Sequence, residues 1–555
     1  MTRTSYRPCR IGALGFLVAA LGLGMACLGP GPTGVAFEPP SHHLVVLHTN
    51  DTHGHPVKFS YSGAPDVGGL PARATLVKKV KAAHASVLVL DAGDLNTGRP
   101  ESTFFKARPD LEGYNYIGYD AMALGNHEFD NPLGVLKEQM ASARFPFLAA
   151  NVKTRDGKYL AEPYIIKEFE GFKVAIFGLT TRETERIGNP EHIKDLVFED
   201  EVAVARRLVP DLRKKADLVI ALVHLGIYDS PDRGSRRLAA EVAGIDLIVD
   251  GHSHTRLDEP IVVRSPGSPR TTAIVQAWQW GLVVGRVDLW LAGGGKVSQL
   301  TFQSIPVNLK AAAKGSGDTV TYPLVGGEIR EDPELLAVLR PYVDKVDAAL
   351  SETVGRAAGT FSFQGARYEE MPLGDLIADS MLWHTRSLHV DFALQNGGGI
   401  RADLPEGAIS SKTVYEVLPF DNVVAVLTLK GTDVQALFAY IARILPGSGA
   451  FPQVSEGVSF TINSASGKCE NLRIRGKPID PRQTYRIATN SYLAAGGDGY
   501  RMLLNAIDKY ESSRFQRDVL IDYIRHVGGR IRPESRQRIT IVGDQKAQAL
   551  GKLAA

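Results

Sequence analysis

The chain has 555 residues, of which 44% are apolar, with 63 Lys and Arg against 61 Asp and Glu. That is length enough for two ordinary globular cores, and a formal net charge of +2 gives no electrostatic footprint for a nucleic acid polymer. Three cysteines, Cys9, Cys27 and Cys469, exclude a disulfide framework once the first two fall in or beside a leader segment.

Arg3, Arg7 and Arg10 precede an apolar stretch from Ile11 to Cys27, the pattern of a secretory signal and too short and Gly-rich for a membrane span. A signal segment over 1–36 carries three arginines and no acid, so its removal takes the charge from +2 to −1. Cleavage after Ala36 leaves a periplasmic or secreted protein. Cleavage before Cys27, in Gly24-Met25-Ala26-Cys27, leaves one lipid-anchored at the cell envelope, and both readings stand. No transmembrane span is expected in the mature chain.

From His42 onward, short apolar runs alternate with helical patterns. Leu44–Leu47 leads into His48-Thr-Asn-Asp51-Thr-His53-Gly-His55, and a helix is expected over Pro71–His84. Val87–Leu90 leads into Asp91-Ala-Gly-Asp94-Leu-Asn96, and Ala121–Leu124 into Gly125-Asn126-His127-Glu128-Phe-Asp130, followed by a helix over Asn131–Ala143. Val174–Phe177 ends without an obvious ligand, and a helix follows over Glu201–Lys215. Leu218–Val223 runs into His224, a helix is expected over Gly234–Val242, and Leu247–Val249 runs into Asp250-Gly-His252-Ser-His254. Strands that repeatedly end in polar, ligand-type residues are the pattern of an α/β sheet whose strand ends build one site.

The first domain is therefore expected over 42–330. Residues 308–327 lack a clear period. Glu331-Asp332-Pro333 opens a linker helix over 331–354, with any opening expected to rotate about one of its ends, near Val354-Gly355-Arg356, where Gly can absorb a dihedral change. A mixed α+β domain over 355–541 follows, then a polar tail over 542–555.

Asp51 and His53 are two apart, so on an extended segment they face the same way, and His252 and His254 repeat the spacing. With Asp94, Asn126 and His224 the set is seven N and O donors and no thiolate. That is too many for one four-coordinate ion and suits two divalent metals such as Zn²⁺ or Mn²⁺. His48, His55 and Asp91 are expected to support these loops or to sit in local turns, and His42 and His43 to be solvated. Asp130 reads either as a partner of His127 or as a helix N-cap ahead of Asn131-Pro132.

Asp51-Thr-His53, Gly93-Asp94, Gly125-Asn126-His127-Glu128, His224 and Gly251-His252-Ser-His254 resemble, in order and type, the calcineurin-like metallophosphoesterase pattern. Asn396-Gly-Gly-Gly-Ile-Arg401 and Gly496-Gly-Asp498-Gly resemble the C-terminal domain of the 5′-nucleotidase family. The resemblance spans nearly all of the mature chain. It implies a four-layer-type metallophosphoesterase domain with central mixed β-sheets, a linker helix and a C-terminal α+β substrate-binding domain. It also implies two divalent ions, Zn, Mn, Co or Mg, with Asp94 bridging, Asp51, His53 and His254 on one, and Asn126, His224 and His252 on the other. The family's His and Asp dyad falls on His127 and Asp130.

By the same resemblance Phe420 and Tyr492 flank the base, Arg367 and Arg401 contact phosphate or ribose, and Asn396 and Asp498 contact the nucleoside. Tyr492 stands where some relatives have Phe, and Pro372 near a position often polar in relatives. The implied activity is hydrolysis of nucleotide phosphoesters by metal-activated water, foremost nucleoside 5′-monophosphates. UDP-sugars, 2′,3′-cyclic nucleotides, a thiosulfohydrolase reaction and non-catalytic nucleotide binding are the alternatives.

Overall fold

The computed structural model describes residues 41–61, 64–228, 230–267, 270–314 and 320–543. The expected signal segment with Cys27, and residues 544–555 of the expected tail, lie outside the described residues.

Two six-stranded sheets form the first block. In one, His42–Thr49, Val87–Asp91, Ala121–Ala123 and Phe147–Leu148 run parallel, and Val283–Ala292 and Lys296–Pro306 add an antiparallel edge. In the other, Phe172–Thr180, Leu218–His224, Leu247–Asp250 and Thr271–Gln276 run parallel between the antiparallel edges Tyr164–Phe169 and Ile261–Arg264.

The two-residue alternation of side chains along a strand decides the layering. Leu44, Val46, Leu88 and Leu90 point between the sheets, where they share a core with Ile176, Ile220, Leu222 and Val249. Their neighbours Val45, Leu47 and Val89 point the other way, onto helices Leu70–Ala83, Arg108–Ile117 and Leu133–Ser142. Phe177, Val219, Ala221 and Ile248 likewise face helices Glu201–Lys215 and Gly234–Glu241. Strands covered on both faces need apolar residues at every position, so these runs are continuous rather than alternating. The result is a helix, sheet, sheet, helix stack.

The helix expected over 331–354 runs from Pro333 to Leu350, and Thr353–Ala357 is a strand. Asp332 caps it, its Oδ1 accepting the Glu334 and Leu335 N–H groups at 3.1 Å each, and Leu335 and Leu339 pack into the first block's core. In the stretch without a clear period, Ala313–Lys314 pairs antiparallel with Val320–Thr321. Beyond the helix, a five-stranded mixed sheet is built on Phe392–Asn396, Thr484–Asn490 and Val423–Lys430, beside sheets of four and three strands. Among the described residues no strand pairing joins the part before 330 to the part after 353.

Candidate active site

The parallel strands of both sheets of the first block end at one edge, and the loops leaving them converge there. The expectation that Asp51/His53 and His252/His254 lie on extended segments is corrected. Asp51, His53, Asp94, His252 and His254 all have left-handed backbone, with φ between 43° and 76°. Each such non-Gly residue costs about 1–3 kcal/mol unless its surroundings over-determine it. Here tertiary hydrogen bonds do so: Asp51 N–H donates to Gly93 O at 2.8 Å, His53 N–H to Asp94 O at 3.0 Å, and Trp280 N–H to Asp51 O at 2.7 Å. Gly125 is needed for the close approach, since a Cβ there would sit 2.2 Å from Asp94 Oδ1.

Three of the four candidate ligand histidines are set the same way. His53 Nδ1 lies 3.1 Å from Asn96 O, His224 Nδ1 2.7 Å from Ala92 O, and His254 Nδ1 2.5 Å from Gln279 Oε1. A proton on Nδ1 satisfies each carbonyl and leaves the Nε2 lone pair free, the tautomer that a metal requires. The three Nε2 atoms converge on Asp51 and Asp94. His254 Nε2 is 3.3 Å from Asp51 Oδ1, His224 Nε2 3.0 Å and His53 Nε2 3.9 Å from Asp94 Oδ2. His224 is fully buried, and its Nε2 has no partner in hydrogen-bond geometry, which fits an atom turned toward a cation. Asn126 Oδ1 joins the set, 2.8 Å from His252 Nδ1. All seven predicted ligands thus come together, and their oxygens and imidazoles suit borderline divalent ions.

Glu128, to which the sequence reading gave no role, holds two of these loops together. Its buried carboxylate accepts Gly125 N–H at 2.7 Å, Asp94 N–H and Leu95 N–H at 2.9 Å each, and Asn96 N–H at 3.2 Å. Burial and the neighbouring Asp94 charge push its carboxyl up to about 7. Asp250 does the same elsewhere, accepting Leu225 N–H at 2.9 Å and Gly251 N–H at 2.8 Å. Asp91, one of the supports expected, accepts Gly93 N–H at 2.9 Å and the Tyr114 hydroxyl at 2.8 Å.

His127 Nδ1 lies 2.7 Å from Asp130 Oδ2. The N-cap alternative for Asp130 is overturned, because the next helix starts at Leu133 with Pro132 at the cap position and no side-chain cap. Burial alone would lower the His127 pKa, but the Asp130 and Asp94 carboxylates raise it overall.

A cavity of about 1180 Å³ opens in front of this cluster, with Asp94, Asn126, His127, His252 and His254 on one wall. All six predicted substrate residues, Arg367, Asn396, Arg401, Phe420, Tyr492 and Asp498, line the other. Arg401 reaches across it, its Nη2 3.4 Å from His53 Nε2 and its guanidinium 5.9 Å from the Phe420 ring centroid. Burial, then the nearby Arg367 charge, lowers the Arg401 pKa to about 10, against the opposing pull of Asp130, Asp94 and Asp51, and both guanidiniums line the cavity. The Tyr492 hydroxyl, absent from a Phe, lies 2.5 Å from Ile187 O and accepts the Asp498 N–H at 2.9 Å, while Asn396 Nδ2 donates to Asp498 Oδ2 at 2.8 Å.

The flanking histidines do not join the cluster. His48 is fully buried against Gly285 and Phe302, and His55 stacks on Trp280. The solvated reading of His43 is corrected, since it stacks on Trp290 and pairs with Asp288 at 2.9 Å.

Residues 44–256 match the calcineurin-like phosphoesterase family, and residues 353–505 match the 5′-nucleotidase C-terminal domain. The chain is 37% identical over 524 residues to Protein UshA of Escherichia coli, covering 89% of this chain and 92% of that one. It is 37% identical over 517 residues to a 5′-nucleotidase of Vibrio cholerae, with 87% and 90% covered. A solved 5′-nucleotidase precursor from Thermus thermophilus superposes with a TM-score of 0.80 at 31% identity, covering 91% of this chain and all of that one.

Proposed function

Because the chain belongs to the 5′-nucleotidase family and is a metal-dependent phosphohydrolase of nucleotides, we propose that its cavity takes a nucleoside 5′-monophosphate and that the residues named above divide the work. The observation that carries this reading is Arg401, a residue of the second block, at 3.4 Å from His53 in the ligand cluster of the first. A nucleotide held by the second block thereby presents its phosphate to the first.

Asp51, His53 and His254 would hold one divalent ion and Asn126, His224 and His252 the other, with Asp94 between them. When bound, the ions supply Lewis-acid polarisation of the phosphoryl oxygens and a nucleophilic water at neutral pH. Asp130 holds the His127 ring through Nδ1, so that Nε2 faces the cavity and can stabilise charge growing on the phosphoryl group. Arg401 and Arg367 bind phosphate or ribose oxygens. Phe420 and Tyr492 receive the base between their faces, a contact that any base can make, and Asp498 and Asn396 bind the nucleoside. Export through the 1–36 segment, and domains over 42–330 and 355–541 joined by the helix between, complete the proposal.

A substrate panel tests it: AMP, UMP, ATP, UDP-glucose, a 2′,3′-cyclic nucleotide and a thiosulfate conjugate, each with Mn²⁺, Zn²⁺, Mg²⁺ and Co²⁺. The expected result is the highest kcat/KM on a 5′-monophosphate. Preference for the thiosulfate conjugate, or no turnover with any metal, overturns it.

A further inference from the structure

His252 is set unlike the other three candidate ligand histidines. It presents Nδ1, not Nε2, to the cluster, at 2.8 Å from Asn126 Oδ1 and within reach of Asp94 and His224. For Nδ1 to offer a lone pair, the ring proton must reside on Nε2, and that proton needs an acceptor. Among the described residues the acceptor at Nε2 is Glu183 Oε2, at 3.4 Å. Glu183 lies in no motif singled out from the sequence.

We propose that Glu183 is a positioning residue for the metal site, fixing His252 in the tautomer that turns Nδ1 toward the ion shared with Asn126 and His224. The carboxylate is itself held in place. Its other oxygen, Oε1, is 3.0 Å from Arg233 Nη2 and 3.3 Å from Arg186 Nη2, and the Glu183 N–H donates to Thr181 Oγ1 at 3.2 Å. Thr181 N–H in turn donates to the backbone oxygen of His224, at 2.9 Å. The segment that carries Glu183 is thus tied to the strand that carries another ligand, which sets the distance between carboxylate and ring. A carbonyl serves the other three histidines. A carboxylate here adds negative charge behind the ring and raises its donor strength toward a cation, and loss of such a partner typically costs 10- to 100-fold in metal affinity.

This inference rests on the dimetal reading above, and the experiment separates the two. Mn²⁺ alone is titrated into chelated, metal-free protein and followed by calorimetry, without nucleotide. Wild type should bind two ions. Glu183→Ala should bind one as wild type does and the other 10- to 100-fold more weakly. Glu183→Gln, whose side-chain oxygen can still accept the Nε2 proton, should fall between. Arg233→Ala, which leaves Arg186 on the far oxygen and the carboxylate facing His252, should lose clearly less affinity than Glu183→Ala. Should Glu183→Ala not fold by circular dichroism, Glu183→Gln decides alone. Two wild-type affinities in a folded Glu183 variant overturn the positioning role. An Arg233→Ala loss equal to that of Glu183→Ala overturns it too, since it traces the effect to a loosened loop. Fewer than two ions in wild type overturns the dimetal reading instead.

Discussion

Glu128→Gln tests how the ligand loops are held. The two carboxylate oxygens divide their donors, Oε2 taking the Gly125 and Asp94 N–H groups and Oε1 those of Leu95 and Asn96, with Asn96 Nδ2 also on Oε1 at 3.2 Å. An amide is nearly isosteric, but whichever way it sits, its NH₂ faces two backbone N–H donors that lose their acceptor. Leaving a buried donor unsatisfied costs about 1–3 kcal/mol, so the substitution should destabilise by about 2–6 kcal/mol. The assay is urea unfolding of the chelated protein at pH 8, scored as the midpoint of the first block's transition, alongside bound metal and kcat for AMP. The same repulsion should push the Asp94 loop away from the Gly125 loop, so metal content and turnover should fall with stability. A midpoint, metal content and kcat all equal to wild type would show that these hydrogen bonds do not hold the loops.

Asp94→Asn should lower the content of both ions, whereas Asp51→Ala should mainly weaken one; two metals per chain and normal turnover in Asp94→Asn would end the bridging assignment. His127→Ala should keep metal and fold while kcat drops about 10²-fold or more, as for loss of a positioned electrostatic stabiliser, and a parallel loss of metal would instead make it a ligand. Burial lowers the His48 pKa from 6.5 to about 3, so the folded state loses stability as pH falls below 6.5 and the unfolded ring takes up the proton. Between pH 8 and pH 5 that loss is about 2 kcal/mol, and His48→Leu, compared by urea unfolding at both pH values, should lack it; equal losses in the two proteins would refute it. In a Cys469→Ser background, Lys106→Cys with Asp421→Cys, whose native side chains meet across the cavity rim at 2.7 Å, joined by a short bis-maleimide, should block AMP turnover. Unchanged kcat and KM in the verified cross-linked protein would mean that opening is not part of the cycle.

The strands and the identity of the cluster were legible because both signals are local. A strand buried on both faces must be continuously apolar, as in Leu218–Val223, and a polar run at its end has nowhere to go but a loop. What was illegible depends on partners distant in sequence. Left-handed backbone at Asp51 or His53 is only weakly marked in the sequence: Asp and His adopt it more readily than most residues, but the hydrogen bonds that select it here come from Gly93, Asp94 and Trp280, distant in the chain. Glu128 and Glu183 read as ordinary acids until the fold brings donors 33 or 69 residues away onto their oxygens. Asp130 was ambiguous for the opposite reason. Both of its readings were local, and the geometry at Pro132 decides between them.

The place of the expected hinge, at the C-terminal end of the linker helix, turns on the same distinction. A glycine can absorb a dihedral change, but Gly355 is small rather than free. A Cβ there would lie 2.5 Å from Ile524 Cγ2 and 2.9 Å from Gly529 O, and its strand is paired on both sides, with Gly407–Ser410 and Arg530–Ile531. Rotation at Gly355 would tear a sheet within the second block. The helix before it rides on the first block through Leu335 and Leu339 and through Tyr342, whose hydroxyl meets Glu112 at 2.6 Å. Glu352 already belongs to the second block, its carbonyl accepting Ser411 N–H at 2.9 Å and its carboxylate pairing with Arg525 at 2.6 Å. Between these anchors only Ser351 and its neighbouring peptide bonds remain to turn. A rotation there would swing the helix Ser411–Val417 away from the first block, parting Lys412 from Glu101 and Glu416 from Arg99, pairs now 2.7 and 2.8 Å apart. With Lys412–Asp347 at 2.8 Å, those pairs tie the second block to the first and to the helix before it close to Ser351, so any turn at Ser351 has to break ion pairs beside its own pivot.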